Sequence, residues 1–419
     1  MTKKHSFFSH HRHLAHWLLA IAIVLAVSLS IFLTLAALTQ LKVRHQQKVL
    51  QPFYDTTGLS TTGPIGEVVR REPLNLTVDG GSGQRILYRT QKADGSVTFT
   101  SGMVFIPNGT TDKPRPVVAW AHGTVGMGDQ CAPSRTPNPM KNIAWVSEML
   151  KQGWVVTATD YAGLGTPGTE GYLVGGDEAR DVLNSVQALK YIPEANAGTT
   201  FAVWGHSQGG HSALFTANQV SQYAPGLKLV GTVASAPAAE LVPLLSETAG
   251  TAIDWVIGPE AMESWSAAQP GLDVSSVTTS VGYNNYKRIA NKCIESAALE
   301  GIVRTKFHQE FFNASLTTSP SWVAMAKAQT APILDSSQPL MVAESLTDQV
   351  VLPNTTALYI QKACAAKSNL TSLWLTNVGH IQLSSTIAPD VIGWIGDRFA
   401  GRPTSPTCAQ PLPIAPAGS

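Results

Sequence analysis

Residues 201–210 read Phe-Ala-Val-Trp-Gly-His-Ser-Gln-Gly-Gly, and this stretch decides the fold. The apolar run 201–204 predicts a buried strand, and a helical pattern begins at about Gly209. Between them, the residues match G-x-S-x-G, in which the serine stands on a sharp turn from strand to helix. Gly205 and Gly209 are small enough to let the backbone approach itself around that turn. The sequence therefore predicts that Ser207 projects at the carboxyl edge of a sheet, where open α/β folds bind ligands.

Further strands and helices alternate on both sides of this turn. The predicted strands cover 85–90, 97–106, 117–121, 154–159, 227–234, 339–343 and 373–375, and the predicted helices include 177–191, 355–366 and 392–399. Such alternation is typical of an α/β fold with a mostly parallel sheet flanked by helices. Residues 240–330 interrupt it with amphipathic helical patterns. They predict a helical cap inserted between a first core part, 74–239, and a second, 331–400.

Candidates for the base and the acid that would activate the serine follow the turn in the chain. A serine hydroxyl is a weak nucleophile near neutral pH and needs a base supported by a carboxylate. After a G-x-S-x-G turn the chain order is serine, acid, histidine. Asp348 and His380 each follow a predicted strand in that order. Glu344, at the end of the same strand, is the alternative acid. We predict Ser207 as nucleophile, Asp348 as acid and His380 as base.

The oxyanion of an acyl-transfer intermediate needs two preorganised N–H donors. The amide of Gln208, directly after the nucleophile, is one candidate. The loop that follows strand 117–121 should supply the other, with Thr124 first and Gly123 second. The neighbouring histidines, His122 and His206, are expected to pack against the turn rather than to act in catalysis.

Composition excludes several classes of protein. The 419 residues contain 29 Lys and Arg and 28 Asp and Glu, so the formal net charge is +1. Charged residues make up only 14%, against about a quarter in an average domain. This balance gives no electrostatic signal for nucleic acid. We expect neither a cofactor nor a metal, and the sequence leaves the oligomeric state open.

The N-terminal region contains an uncharged run over 17–38. As a helix it would extend about 33 Å, enough to cross a hydrocarbon core of about 30 Å. We therefore predict an N-terminal cytoplasmic tail over 1–16, a transmembrane anchor or uncleaved signal over 17–39 and a linker over 40–73. The catalytic domain is expected outside the cytoplasm, anchored to the membrane or, if the signal is cleaved, secreted.

The chain has four cysteines and no CxxC pair, which disfavours zinc. In an exported protein, four cysteines indicate two disulfides, and counting alone leaves three connectivities open. The four are Cys131, Cys293, Cys364 and Cys408. The last lies in a Pro-rich tail over 401–419, which a disulfide would tie down.

Five segments together resemble a known family. They are AHGT (121–124), DYAGLGTPG (160–168), WGHSQGGH (204–211), LTDQVVLP (346–353) and NVGH (377–380). This combination resembles the secretory lipase family of α/β hydrolases, which includes fungal secreted lipases and related bacterial esterases. The resemblance implies an α/β-hydrolase fold, a Ser207–Asp348–His380 triad and the disulfides Cys131–Cys293 and Cys364–Cys408.

The function predicted from these features is hydrolysis of a small-molecule or lipid carboxylic ester through an acyl-enzyme, as in a lipase or esterase. An acyltransferase or a peptidase on the same fold is one alternative. A catalytically inactive, membrane-anchored binding protein is another. The preferred acyl length and alcohol are not fixed by the sequence.

Overall fold

A large mixed sheet carries the chemistry-bearing loops. In the computed structural model, which describes residues 5–141, 143, 145–313 and 318–418, this sheet has nine strands in the order β1-β2-β3-β5-β4-β6-β7-β8-β9. The strands are β1 (Val68–Pro73), β2 (Gly81–Gln91), β3 (Val97–Pro107), β4 (Arg115–Ala121), β5 (Val155–Thr159), β6 (Ala197–His206), β7 (Lys228–Ser235), β8 (Leu340–Ser345) and β9 (Leu370–Leu375). The first three are antiparallel, and β5, β4 and β6–β9 run parallel to one another.

Eleven α-helices are found among the described residues. They are α1 (His5–Tyr54), α2 (Val146–Lys151), α3 (Gly175–Ala188), α4 (Gln208–Tyr223), α5 (Leu241–Glu247), α6 (Asp254–Ala268), α7 (Ser280–Ala290), α8 (Ile294–Lys306), α9 (Pro320–Ala328), α10 (Pro353–Ala365) and α11 (Leu383–Phe399). The central strands are buried on both faces, and β5 is buried along its whole length. Buried parallel strands of this kind need near-continuous apolar runs. The predicted α/β fold is thus confirmed.

The chain between β7 and β8 holds α5–α9, and we call this segment, residues 236–339, the helical insertion. Its interior contains the buried side chains of Trp255, Trp265 and Trp322. These aromatic residues bury large areas and hold the helices of the insertion together. The insertion covers the stretch in which sequence patterns predict a cap; the exact limits of that cap stay a prediction, and residues 314–317 lie outside the described chain.

The N-terminal region differs from the prediction. The chain divides into two compact units, Met1–Pro52 and Phe53–Ser419. The first contains α1 up to Pro52, and residues 1–4 of the predicted tail lie outside the described chain. None of the helices in the described ranges is both long and apolar enough to cross a membrane. The predicted membrane anchor over 17–39 is therefore not supported.

The predicted linker over 40–73 contains regular secondary structure at both ends. The helix α1 continues to Tyr54, and β1 occupies Val68–Pro73. Residues 42–51 contain no glycine or proline and are rich in good helix formers, so nothing in them ends the helix. The strand is short and polar because it lies at the edge of the sheet, where its charged side chains reach neighbours, such as Glu72 paired with Arg85.

Two disulfides join distant parts of the chain. Cys131 is bonded to Cys293, 162 residues later, and Cys364 to Cys408, 44 residues later. These are the two pairs that the resemblance implies. The first links the segment after β4 to the helical insertion. The second holds the C-terminal tail, whose Thr407 N–H also donates a hydrogen bond to the carbonyl of Leu370 on the edge strand β9.

Candidate active site

Ser207 stands alone between β6 and α4, on the predicted turn. Its φ of 58° and ψ of −119° lie in a region that a residue with a side chain rarely occupies. Such strain persists only where the surroundings enforce it, and it is frequent at active sites. The backbone of Ser207 is held by its N–H, which donates to the carbonyl of Ser235 at 2.9 Å. The turn therefore fixes where the hydroxyl points.

The loop after β4 lies directly against this turn. A β-carbon at Gly123 would lie 3.1 Å from the carbonyl oxygen of His206 and 3.4 Å from Cβ of Ser207. The hydroxyl of the next residue, Thr124, is hydrogen-bonded to the hydroxyl of Tyr172 at 3.0 Å. The structure thus brings Gly123 against the turn that Gln208, the first residue of α4, continues, and Thr124 is the next residue of the same loop.

Asp348 and His380 contact each other. The Asp348 carboxylate accepts a hydrogen bond from Nδ1 of His380, with 2.6 Å between Oδ2 and the nitrogen. The other oxygen of Asp348 accepts the backbone N–H groups of Val350, at 2.8 Å, and Val351, at 3.1 Å. Three donors therefore hold one carboxylate. A histidine bonded at Nδ1 leaves Nε2 for a second partner.

His206 connects this pair to the nucleophile. It precedes Ser207, and its ring lies 4.6 Å from the ring of His380, centroid to centroid. Burial, followed by the neighbouring His380, lowers the pKa of His206 well below its ordinary value, so this ring is neutral. Ser207 and His380 both belong to the described residues, and no hydrogen bond joins them there. Catalytic hydrogen bonds are often long before substrate binds.

Glu344, the alternative acid, occupies a different position. Its carboxyl is fully buried and accepts hydrogen bonds from the Ser345 N–H at 2.7 Å and the Thr356 hydroxyl at 2.6 Å. The hydrogen-bond partner of His380 is Asp348. The geometry thus favours Asp348 over Glu344 as the carboxylate that orients the histidine.

Behind Gln208 lies a buried polar network that sequence reasoning did not find. The amide nitrogen of Gln208 donates to Glu170 at 3.0 Å and to Glu178 at 2.9 Å. The other oxygen of Glu178 lies 3.0 Å from Nδ1 of His211, whose Nε2 lies 2.7 Å from the carbonyl oxygen of Gln329. Burial raises the pKa of Glu170 to about 8. The network therefore fixes the position of the Gln208 side chain, next to the nucleophile in the chain.

The sequence contains the residues of this network, but their positions in it indicate other roles. Glu178 stands in the first turn of α3, where a carboxylate also suits the helix dipole. The structure buries it completely instead. His211, on α4, is fully buried as well because it fills the space between Glu178 and the insertion.

The segment DYAGLGTPG supports the loop after β4. Asp160 is fully buried and accepts the Ser134 N–H at 2.9 Å and the Ser101 hydroxyl at 2.6 Å. Its backbone carbonyl lies 3.2 Å from Nε2 of His122, and Nδ1 of that ring lies 2.8 Å from the carbonyl oxygen of Gly123. Both nitrogens of His122 are thus engaged in holding the loop, which agrees with a structural role.

A largely apolar cavity opens beside Ser207. About 470 Å³ of space not filled by protein atoms lies here, and this figure includes open solvent at the mouth. Ser207 and Gln208 line one side, and α5 and α6 of the insertion line another. The lining side chains from these helices include Leu241, Leu244, Leu245, Ile257, Ala261 and Trp265. Such a cavity suits an apolar chain whose reactive end lies at the serine. No cluster that could hold a metal ion occurs among the residues for which the structure gives a placement.

Comparisons with known proteins identify related lipases. A family model described as secretory lipase matches residues 136–406. A probable inactive lipase of Mycobacterium tuberculosis (strain CDC 1551 / Oshkosh) is 24% identical over 408 residues, which cover 90% of each chain. A secreted triacylglycerol lipase of Malassezia globosa is 23% identical over 391 residues, or 87% of this chain and 82% of that one. The crystal structure of lipase A from Candida antarctica in its closed state superposes with a TM-score of 0.70 at 18% identity and covers 88% of this chain and 91% of its own.

Proposed function

Since this chain belongs to the secretory lipase family, we propose that it hydrolyses carboxylic esters through an acyl-enzyme formed on Ser207. His380 is the general base and Asp348 the carboxylate that orients it. The observation that carries this proposal is the 2.6 Å hydrogen bond between His380 and Asp348. The His380 ring lies 4.6 Å from the ring of His206, the residue before a strained serine that lines an apolar cavity.

The reaction proceeds in two steps. Oγ of Ser207 attacks the ester carbonyl carbon while Nε2 of His380 takes the hydroxyl proton. The tetrahedral intermediate collapses, the bond to the alcohol oxygen breaks, and the alcohol leaves with that proton. Water, deprotonated by the same nitrogen, then attacks the acyl-serine. The bond between the acyl carbon and Oγ breaks, His380 returns the proton to Oγ, and the carboxylic acid is released. Asp348 stays ionised and stabilises the imidazolium in both steps.

The oxyanion of each intermediate is held by backbone N–H groups. The amide of Gln208 is the first, and the loop of Gly123 and Thr124 supplies the second. Removal of one such donor in other enzymes costs about 100- to 1000-fold in kcat. The network of Glu170 and Glu178 supports this part of the site because it fixes the Gln208 side chain.

The substrate class is an ester with an apolar acyl chain. The cavity lining from α5 and α6 is aliphatic and aromatic, so a fatty acyl group can leave water there. The activity named for the Malassezia globosa relative, triacylglycerol lipase, is of this class. The disulfides and the secreted relative further support a site of action outside the cytoplasm.

The relative named as a probable inactive lipase makes an inactive protein the second candidate. The two candidates are separated by assaying the full-length chain on p-nitrophenyl esters from acetate to palmitate, together with fluorophosphonate labelling. Ser207→Ala should abolish both hydrolysis and labelling, and Ser246→Ala, an exposed serine on α5, should change neither. Labelling of the wild type without hydrolysis of any ester would favour a peptidase or an acyltransferase. Absence of both would leave a binding protein.

A further inference from the structure

We propose that Glu344 is a protonated positioning residue that donates a hydrogen bond to Asp348 and so fixes the carboxylate that orients His380. This inference rests on the proposed function and deepens it. The candidate site then has a fourth member that touches neither the substrate nor the serine.

The two carboxyl groups are direct neighbours. Glu344 lies on β8, four residues before Asp348 in the chain, and both are buried. They lie close enough that the charge of Asp348 and a side-chain hydrogen bond with it raise the pKa of Glu344. Two carboxyl groups can share a hydrogen bond only when one of them holds a proton. The pair therefore has a single negative charge, and the question is where the proton lies.

The surrounding donors place the proton on Glu344. Asp348 accepts three N–H donors, from Val350, Val351 and His380, which together stabilise an ionised carboxylate. Glu344 accepts two, the Ser345 N–H and the Thr356 hydroxyl. Within the described chain, no lysine or arginine forms an ion pair with either carboxyl. Burial, and then the charge of Asp348, raises the pKa of Glu344 well above its ordinary value.

The other groups that face the two carboxyls would not offset the negative charge of a second ionised carboxylate. His380 contacts Asp348 from the segment after β9, and the ring of His206, at the end of β6, lies tilted against the ring of His380. From α10 the contact to Glu344 is the hydroxyl of Thr356, and from β9 the register partner of Glu344 is Trp374. A second ionised carboxylate here would repel Asp348 at close range in a low-dielectric setting.

The consequence for catalysis is geometric. Asp348 is held by its loop amides on one oxygen and by His380 on the other. A hydrogen bond from Glu344 adds a contact on the side of the carboxyl facing the sheet, which keeps the plane of the carboxylate aligned with the imidazole. Because Glu344 is neutral, it aligns the Asp348 carboxylate without adding a second negative charge near His380.

The test compares Glu344→Gln with Glu344→Ala in the full-length enzyme. Glutamine keeps a neutral donor of the same shape, so kcat should stay within about threefold of the wild type, and the acidic limb of the kcat/KM profile should keep its midpoint. Alanine removes the donor and should lower kcat about tenfold, as the loss of a hydrogen bond to a charged group predicts, with KM little changed. Thr356→Val, which leaves Asp348 untouched, should behave like the wild type in the position of that limb.

Two results would overturn the proposal. A shift of the acidic limb by about one pH unit toward lower pH in Glu344→Gln would mean that an ionised carboxylate had been removed. An unchanged kcat in Glu344→Ala would mean that the contact does not position Asp348. A merely structural role would lower the melting temperature of both variants without separating them in kcat.

A readout without turnover separates this proposal from the proposed function. The proton on Nδ1 of His380 gives an NMR signal that reports its hydrogen bond to Asp348. The signal should persist in Glu344→Gln and weaken or shift in Glu344→Ala, whether or not any ester is hydrolysed. If the signal is the same in all three proteins, the inference about Glu344 fails even where hydrolysis depends on Ser207.

Discussion

Gly205 lies so close to Gly209 that a β-carbon on the first would be 1.8 Å from the carbonyl oxygen of the second. A β-carbon on Gly209 would in turn be 1.9 Å from the carbonyl oxygen of Ala121, at the end of β4. Real β-carbons do not approach backbone this closely. The turn that presents Ser207 is therefore closed by backbone contacts on both sides, and its geometry depends on two residues without side chains.

Gly209→Ala should consequently destabilise the turn and reduce hydrolysis. We expect a loss of about 1–3 kcal/mol in the free energy of unfolding, as for other overpacked core positions, together with a lower kcat. Gly393→Ala is the matched control, because a β-carbon there, inside α11, meets nothing within 4 Å. That variant should be as stable as the wild type or more so, by up to about 1 kcal/mol. Thermal unfolding and ester hydrolysis check both, and equal behaviour of the two variants would contradict the prediction.

Glu170 should make stability fall as the pH rises above 5. Its pKa is raised by burial from 4.5 to about 8, so in this interval the unfolded chain releases a proton that the folded chain keeps. Each pH unit between these values costs about 1.4 kcal/mol of folding free energy from this group, and the effect levels off above the folded value. Asp181, whose pKa burial raises to about 7, acts in the same direction.

Glu170→Gln should therefore reduce the slope of unfolding free energy against pH between about 5 and 8 without removing it. Asp112→Asn, at an exposed position, should leave that slope as in the wild type. Denaturant unfolding at several pH values measures both. A slope that is the same in Glu170→Gln and in the wild type would show that the folded protein already ionises this carboxyl.

Filling the cavity should shorten the preferred acyl chain. Ala261 lies on α6, is buried and lines the cavity beside Ser207. In Ala261→Phe the added ring occupies that space, so kcat/KM should fall for palmitate esters and change little for acetate esters. Ala267→Phe, on the exposed side of the same helix, is the control and should leave the length profile unchanged. Equal losses for long and short esters would place the acyl group elsewhere.

The sequence predicts the parts of this fold that depend on local pattern. The strand–turn–helix around Ser207 follows from apolar runs and two glycines, and the strands that end near Asp348 and His380 follow from the same alternation. Periodicity also separates the helical insertion from the core. These features can be predicted because the residues that decide them are neighbours in the chain.

The features that the sequence does not predict depend on pairs of residues that are far apart in the chain. Glu178 and Gln208 are separated by a strand and meet only because α3 and α4 pack on the same face of the sheet. Whether Glu344 or Asp348 reaches His380 depends on the path of the loop between them. The edge strand β1 was missed because its polar residues bury little surface. The length of α1 was missed because a loop was expected over residues 42–51, which contain no glycine or proline, and the helix continues through Pro52.

The disulfide Cys131–Cys293 should matter for activity, and Cys364–Cys408 mainly for stability. In a chain-entropy model, loops of 162 and 44 residues correspond to about 5 and about 4 kcal/mol. The first disulfide also lies where the chain after Gly123 and Thr124 meets the insertion. Backbone hydrogen bonds join the same parts, from the Met127 N–H to Ala290 and from the Ile294 N–H to Val125.

Replacing both cysteines of a pair by serine tests this difference. The Cys131→Ser/Cys293→Ser variant should unfold at a lower temperature and lose kcat/KM, because the chain that continues the oxyanion loop is released from the insertion. The Cys364→Ser/Cys408→Ser variant should also unfold earlier but keep the wild-type kcat/KM at low temperature, since its disulfide holds the tail at the far edge of the sheet. Unfolding followed by heat and hydrolysis of a short ester measure the two effects separately. Equal losses of kcat/KM in both variants would mean that general stability, rather than the position of the loop, determines activity.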